Sequence, residues 1–249
     1  MTLSAALTTV EAIAGFRDQH RIEMDCQIVH DSIHDRHGWT DEYLLFDEAK
    51  AVGYGSVAVG GPWKESPVLY QFYVEPEQRR RAFDLFRALL DVCRAPHLLV
   101  QSNDTLATAM LENFCESIDT EAILFHDQER TSLQPPGASF RAPLAGELPD
   151  ISADQLRWHG VVEVEGAIAA TGGILFHYNR PYGDIYMETR DAFRRRGLGS
   201  FLVQELKRVC YEGGHVPAAR CGADNKVSRR TLQRAGFTPC GHLLKGVVR

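Results

Sequence analysis

Residues 193–210 read FRRRGLGSFLVQELKRVC. Arg194, Arg195 and Arg196 run into Gly197 and Gly199, and an amphipathic pattern follows at once. Leu202, Leu206, Val209 and Cys210 recur at helical spacing, with Gln204, Glu205, Lys207 and Arg208 expected on the solvent face. The stretch therefore predicts a helix laid on a sheet by one apolar stripe, with Gly213 and Gly214 as its stop. Its first turn falls at 197–200, where backbone N–H groups have no helical partner and the helix dipole is positive. Glycine lets a ligand approach the main chain closely, so the turn suits a phosphate or diphosphate, and the arginines add charge. Read by itself, the same stretch also fits a tight turn followed by a solvated basic face.

The rest of the composition limits the answers. The chain has 249 residues, 44% hydrophobic and 24% charged, with a formal charge of −6. That is the make-up of a globular protein able to bury a sizeable core. Its apolar runs fall far short of the ~20 residues of a membrane span, and the first stretch lacks the pattern of a secretory signal, so a cytoplasmic protein is expected. Cys26, Cys93, Cys115, Cys210, Cys221 and Cys240 show no C-x-x-C spacing and read as reduced, partly buried thiols. Net acidity speaks against nucleic acid as a partner and leaves room for a cationic small molecule.

Along the chain, 9–20 reads as a helix and 22–34 as a second one. Two strands around a polar turn follow at 43–59, then the strand VLYQFYV, a helix over 79–92, a strand at LLVQS, a helix over 104–114 and a strand at AILFH. Residues 131–139, TSLQPPGAS, have linker composition. After them the order repeats: a strand at SFRAPL, two strands about Glu165 and Gly166, a strand DIYMET, the loop and helix quoted above, a strand PAARCGA, a helix over 225–234 and a strand near HLLKGV. Residues 73–93 lie over 187–210. The expected organisation is an α/β (α+β) chain of two related units, 1–130 and 140–249, joined by a linker at 131–139.

The motifs of the second unit resemble those of the GNAT acetyltransferase superfamily. Arg194 to Gly199 matches the R/Q-x-x-G-x-G/A signature between a strand and a helix. Asn225 and Ser228, followed by Gly236 and Phe237, are similar to the family's second signature, N-x-x-A/S with a terminal G-F. The resemblance covers about 138–249, with a weaker echo over 40–127. It implies a mixed, mostly antiparallel sheet flanked by helices in each unit. In the second unit the fourth and fifth strands would splay to admit acetyl-CoA as cosubstrate. Arg194, Arg195, Arg196, Gly197, Leu198, Gly199 and Ser200 would receive the diphosphate, and Met187, Glu188 and Thr189 would pair with the pantetheine amides. Asn225, Ser228 and Arg230 would flank the cofactor, with Lys226 or Arg229 as alternatives to Arg230 at the 3′-phosphate.

The first unit departs from the signature: Arg81 and Phe83 stand where glycine is required, so a degenerate copy without cofactor is expected. The second unit has only about fifteen residues between its first two strands, too few for the helices that border the acceptor in this superfamily. The acceptor pocket is accordingly expected between the two halves.

Acetyl transfer to an amine needs a base for the ammonium and a means of neutralising the thiolate. Strand alternation places Asp184, Tyr186 and Glu188 on one face, with Glu188 the first choice of base and Asp184 the second. The resemblance calls for a tyrosine as thiolate acid at position 232, where this chain has Leu232. Tyr186, Tyr211, another tyrosine or a water could serve instead, or the protein binds acetyl-CoA with little turnover. No metal site is expected: Cys26, His30, His34 and His37 fall at helical spacing but read as a wet helix face. The expected function is acyl-CoA-dependent N-acetyl transfer to a small-molecule or peptide amine, with a weak or inactive CoA-binding module as the alternative. The sequence leaves the oligomeric state open.

Overall fold

The computed structural model describes residues 2–152 and 154–249. They form twelve strands and five α-helices, divided into two compact units, Met1–Ala122 with Gly241–Arg249, and Ile123–Cys240.

The first unit opens with β1 (Leu3–Thr8) and α1 (Val10–Met24). β2 (Thr40–Asp47), β3 (Lys50–Ala58) and β4 (Val68–Val74) follow, then α2 (Ala82–Cys93), β5 (His97–Gln101) and α3 (Thr105–Phe114). β1 to β4 are antiparallel neighbours, and β4 meets β5 in parallel. The core gathers Leu45, Val52 and Phe72 from the strands with Leu85, Phe86 and Leu89 of α2 and Met110 and Leu111 of α3. Those helix positions recur every three or four residues, the stripe an amphipathic helix presents to a sheet.

The second unit contains the end of β6 (Cys115–Asp127), then β7 (Ala138–Arg141), β8 (His159–Val164), β9 (Ala167–Leu175) and β10 (Tyr182–Thr189). It continues with α4 (Leu198–Glu212), β11 (Val216–Gly222), α5 (Lys226–Arg234) and the start of β12 (Phe237–Val248). The strand order is β6-β11-β10-β9-β8-β7. Leu202, Leu206 and Cys210 of α4 and Leu232 of α5 pack on Val162, Ala169, Ile185 and Ala219. The amphipathic stripe read from 198–212 is thus the face that α4 buries. Among the described residues no helix is long and apolar enough to cross a membrane.

The structure departs from the sequence reading in three places. The helix expected over 22–34 is absent: α1 ends where Asp25 turns left-handed at φ 44° and returns its N–H to the Arg21 carbonyl, and only a short 3-10 turn, Asp31–Asp35, follows. β1 went unread because LSAALT has no polar alternation; its register against β2, Leu3 opposite Asp47 to Thr8 opposite Glu42, makes it a strand. The units also divide differently from 1–130 and 140–249. Residues 123–139 lie in the second unit, and the last nine residues lie in the first because Leu243 to Val247 of β12 pair with β5.

Candidate active site

β10 and β11 run parallel and pair only at Tyr182 with Val216, Gly183 with Pro217 and Asp184 with Ala218. β10 continues to Thr189 and β11 to Gly222 without further pairs among the described residues, so a slot opens between them. On its other edge β10 keeps an unbroken register with β9 from Asp184 to Thr189. With no bulge there, alternation holds: Ile185 and Met187 face the α4 core, and Asp184, Tyr186 and Glu188 lie on the opposite face. The divergence leaves backbone N–H and C=O groups beyond Asp184 free on the slot side for an extended amide chain, apart from the Thr189 carbonyl, which accepts from Arg194 Nε at 3.3 Å.

At the open end of the slot sits the arginine-glycine loop. Arg195 and Gly197 take positive φ, 62° and 79°, and Gly197 precedes α4. The first helical bond runs from the Phe201 N–H to the Gly197 carbonyl, so the amides of Leu198, Gly199 and Ser200 have no partner inside the helix. Arg194, Arg195 and Arg196 are exposed; Arg194 pairs with Asp191 at 2.7 Å, and Arg196 lies over Phe193. The Ser200 hydroxyl donates to the Thr231 carbonyl at 3.0 Å and is buried. Ser200 can therefore offer its amide while its hydroxyl ties α4 to α5. A Cβ at Gly199 would approach Thr189 Oγ1 at 3.1 Å, which brings the last residue of β10 against the helix start.

Asn225 caps α5, its side-chain oxygen accepting from the Ser228 N–H at 2.9 Å. Asn225 and Arg230 are exposed. Leu232, where the resemblance calls for a tyrosine, is 1% exposed in the core. The Tyr211 hydroxyl donates to Asp127 at 2.8 Å from the far end of α4. Burial and that carboxylate push its pKa up to about 12. Tyr186 is more than a third exposed, and partial burial raises its pKa. Glu188 is exposed and makes no hydrogen bond or ion pair with a described residue, so its carboxylate is available. Asp184 is not: its Oδ2 accepts from His177 Nε2 at 2.7 Å and lies 3.5 Å from Arg220 Nε.

Two groups on this face escaped the sequence reading. Arg220 reaches Asp184 only because β11 pairs with β10 up to that residue. His159 is buried on β8; its Nδ1–H donates to the Gln155 carbonyl at 2.8 Å, while its Nε2 has no partner. Its ring lies over Gly173, where a Cβ would fall 2.4 Å from Cδ2, and meets Tyr186 edge-on at 6.0 Å between centroids. Nothing local marks His159; strand register alone brings it to Tyr186.

The first unit has the corresponding fork and fills it. β4 and β5 pair only at Val68 with His97 and Leu69 with Leu98. Segment 27–31 occupies the opening beyond. The Val29 N–H donates to Gln101 Oε1 at 2.6 Å, Gln101 Nε2 donates to the Gln27 carbonyl at 2.9 Å, and Gln71 Nε2 donates to Asp31 at 3.3 Å. Gln27, Ile28, Val29 and Asp31 are all buried. In the loop, Arg81 pairs with Asp47 at 2.5 Å, and Arg79 Nε donates to the Val74 carbonyl at 3.0 Å, as Arg194 Nε does to the Thr189 carbonyl at 3.3 Å in the second unit.

Residues 161–242 match the family described as FR47-like protein. No curated protein matches the sequence. Solved structures match in fold over nearly the whole chain. An acetyltransferase of the GNAT family from Colwellia psychrerythraea superposes with a TM-score of 0.75 at 13% identity, covering 98% of this chain and 100% of its own. A GCN5-related N-acetyltransferase from Sphaerobacter thermophilus gives 0.64 at 16%, covering 99% and 96%. A tandem GNAT protein from the clavulanic acid biosynthesis pathway gives 0.63 at 15%, covering 98% and 97%. With the splayed strands and the arginine-glycine loop, these likenesses identify the chain as one with the GNAT fold in two successive units.

Proposed function

We propose that the protein is an acyl-CoA-dependent N-acyltransferase, moving acetyl from acetyl-CoA to a primary amine by direct attack, with the second unit alone taking the cosubstrate. The observation that carries this reading is the contrast between the two forks: one opens beside three unpartnered helix amides, the other is plugged by its own chain. The residues present suit the ligand. The amides of Leu198, Gly199 and Ser200 with Arg194, Arg195 and Arg196 supply donors and charge for a diphosphate. The unpaired edge of β10 at Met187, Glu188 and Thr189 suits an amide-bearing arm, and Asn225, Ser228 and Arg230 flank it. Acetyl-CoA supplies the activated thioester.

Glu188 is the base we assign. Its carboxylate is unengaged and shares a face with Tyr186, so it can take the proton of an ammonium directly or through one water. Tyr186 is the tyrosine best placed to replace the missing one, since Tyr211 is held by Asp127. Asp184 belongs to the frame of the site, being already engaged by His177 and Arg220.

The second reading is a CoA-binding module with little turnover, favoured by Leu232, which removes the family's usual acid from α5. Release of free CoA on incubation with acetyl-CoA and a panel of primary amines separates the two. Amine-dependent release supports the enzyme; tight CoA binding without release supports the module.

A further inference from the structure

From Thr189 back to Asp184 the slot runs along five residue steps of β10, roughly 17 Å at strand rise. A linear ligand whose diphosphate sits at the α4 amides has its other end toward the fork, where β10 and β11 close at Asp184 and Ala218. Arg220 stands two residues past the last pair on β11, on the same face as Ala218. Its Nε rests 3.5 Å from Asp184, whose side chain is 8% exposed. The same carboxylate oxygen takes its short bond, 2.7 Å, from His177. Among the described residues no hydrogen bond forms to either Nη of Arg220, and its side chain keeps 28% exposure. The Tyr178 hydroxyl is buried near Asp184 and Arg220. The fork therefore holds a guanidinium anchored through Nε, with its remaining donors unspent.

We infer that Arg220 is the cation of the acyl-transfer site, donating its free Nη hydrogens to the sulfur end of the cosubstrate and balancing the negative charge that sulfur acquires. The inference rests on the acyl-CoA reading above. In the transfer a C–N bond forms, the C–S bond breaks with its electron pair left on sulfur, and the nitrogen sheds a proton to Glu188 or solvent. A fixed positive charge at the fork stabilises the sulfur anion without a proton donor on α5. It supplies what Leu232 cannot. Asp184 and His177 are then positioning residues that hold the guanidinium.

The test uses free CoA and the full-length chain. Calorimetry establishes that CoA binds, and the ultraviolet absorbance of the thiolate follows ionisation of the bound thiol against pH. A guanidinium within contact range is expected to lower the bound thiol's pKa by about one unit or more from the value it has free in solution. Arg220→Gln should abolish that shift, Arg220→Lys should keep part of it, and Glu188→Gln should leave it in place. Bound CoA whose thiol titrates as it does free in solution, in the unaltered protein, overturns the inference. A lowered pKa that survives in Arg220→Gln overturns it equally. Failure of CoA to bind would instead strike the acyltransferase reading itself.

Discussion

Gly197 precedes α4 with φ at 79°, in the left-handed region where an L side chain costs about 1–2 kcal/mol. Its ideal Cβ position is 3.5 Å from the nearest atom of Arg234, so the cost is backbone strain, not a clash. We expect Gly197→Ala to keep the fold and to weaken CoA binding by about tenfold through a displaced amide array, measured by calorimetry. Glu188 makes the sharper chemical test. Glu188→Gln should lower kcat/KM by about 10²–10⁴ and flatten the acid limb of the pH–rate profile, with CoA affinity unchanged. An unaltered profile would move the base elsewhere, His159 with its unpartnered Nε2 being the next group to examine.

At the scale of elements, Lys207 ties the second unit together. It is 3% exposed on α4, yet its ammonium pairs with Asp127 of β6 at 2.5 Å and donates to the carbonyls of Glu129 at 2.6 Å and Ala235 at 2.7 Å. One charge thus joins α4, the end of β6 and the end of α5. Lys207→Met should destabilise the unit by about 3–5 kcal/mol, since it leaves a buried carboxylate without its counter-charge; thermal unfolding measures the loss. Gly236 follows α5 at φ 89°, and a Cβ there would fall 2.1 Å from the Glu129 carbonyl oxygen. The terminal glycine of the second motif is therefore a packing requirement as well as a turn.

For the molecule as a whole, acid should act through the first unit. Burial alone would raise Glu42, but hydrogen bonding and charge from His34, with Ser56, more than offset it and hold the carboxyl below its ordinary value of 4.5. Asp31 behaves likewise: burial raises it, while the charge of Arg17 and the hydrogen bond and charge of Arg21 bring it below 3.8. A carboxyl depressed by folding contributes stability above its unfolded pKa and loses it as pH falls through the folded one. Glu42→Gln should therefore be less stable than the unaltered chain at pH 7, by about 1–3 kcal/mol, with the gap closing below about pH 4.5 in pH-dependent chemical denaturation. Removing 241–249 should unfold the first unit before the second, because Leu243 to Val247 are the strand partner of β5. Hydrogen exchange resolved by segment would show it.

Taken by itself, the amino-acid order determined whatever depends on near neighbours. The arginine-glycine loop, the buried stripe of α4, the Asn225 cap of α5, the parity of Asp184, Tyr186 and Glu188 and the repeated order of elements all follow from spacings of a few residues, where helical and strand periods act directly. Tertiary pairing decided the remainder. It set Arg220 and His177 on Asp184, put His159 beside Tyr186, packed 27–31 into the first fork and assigned the final nine residues to the first unit. Each of those contacts joins segments whose meeting depends on strand register and fork geometry, quantities that the whole sheet sets and no local stretch encodes.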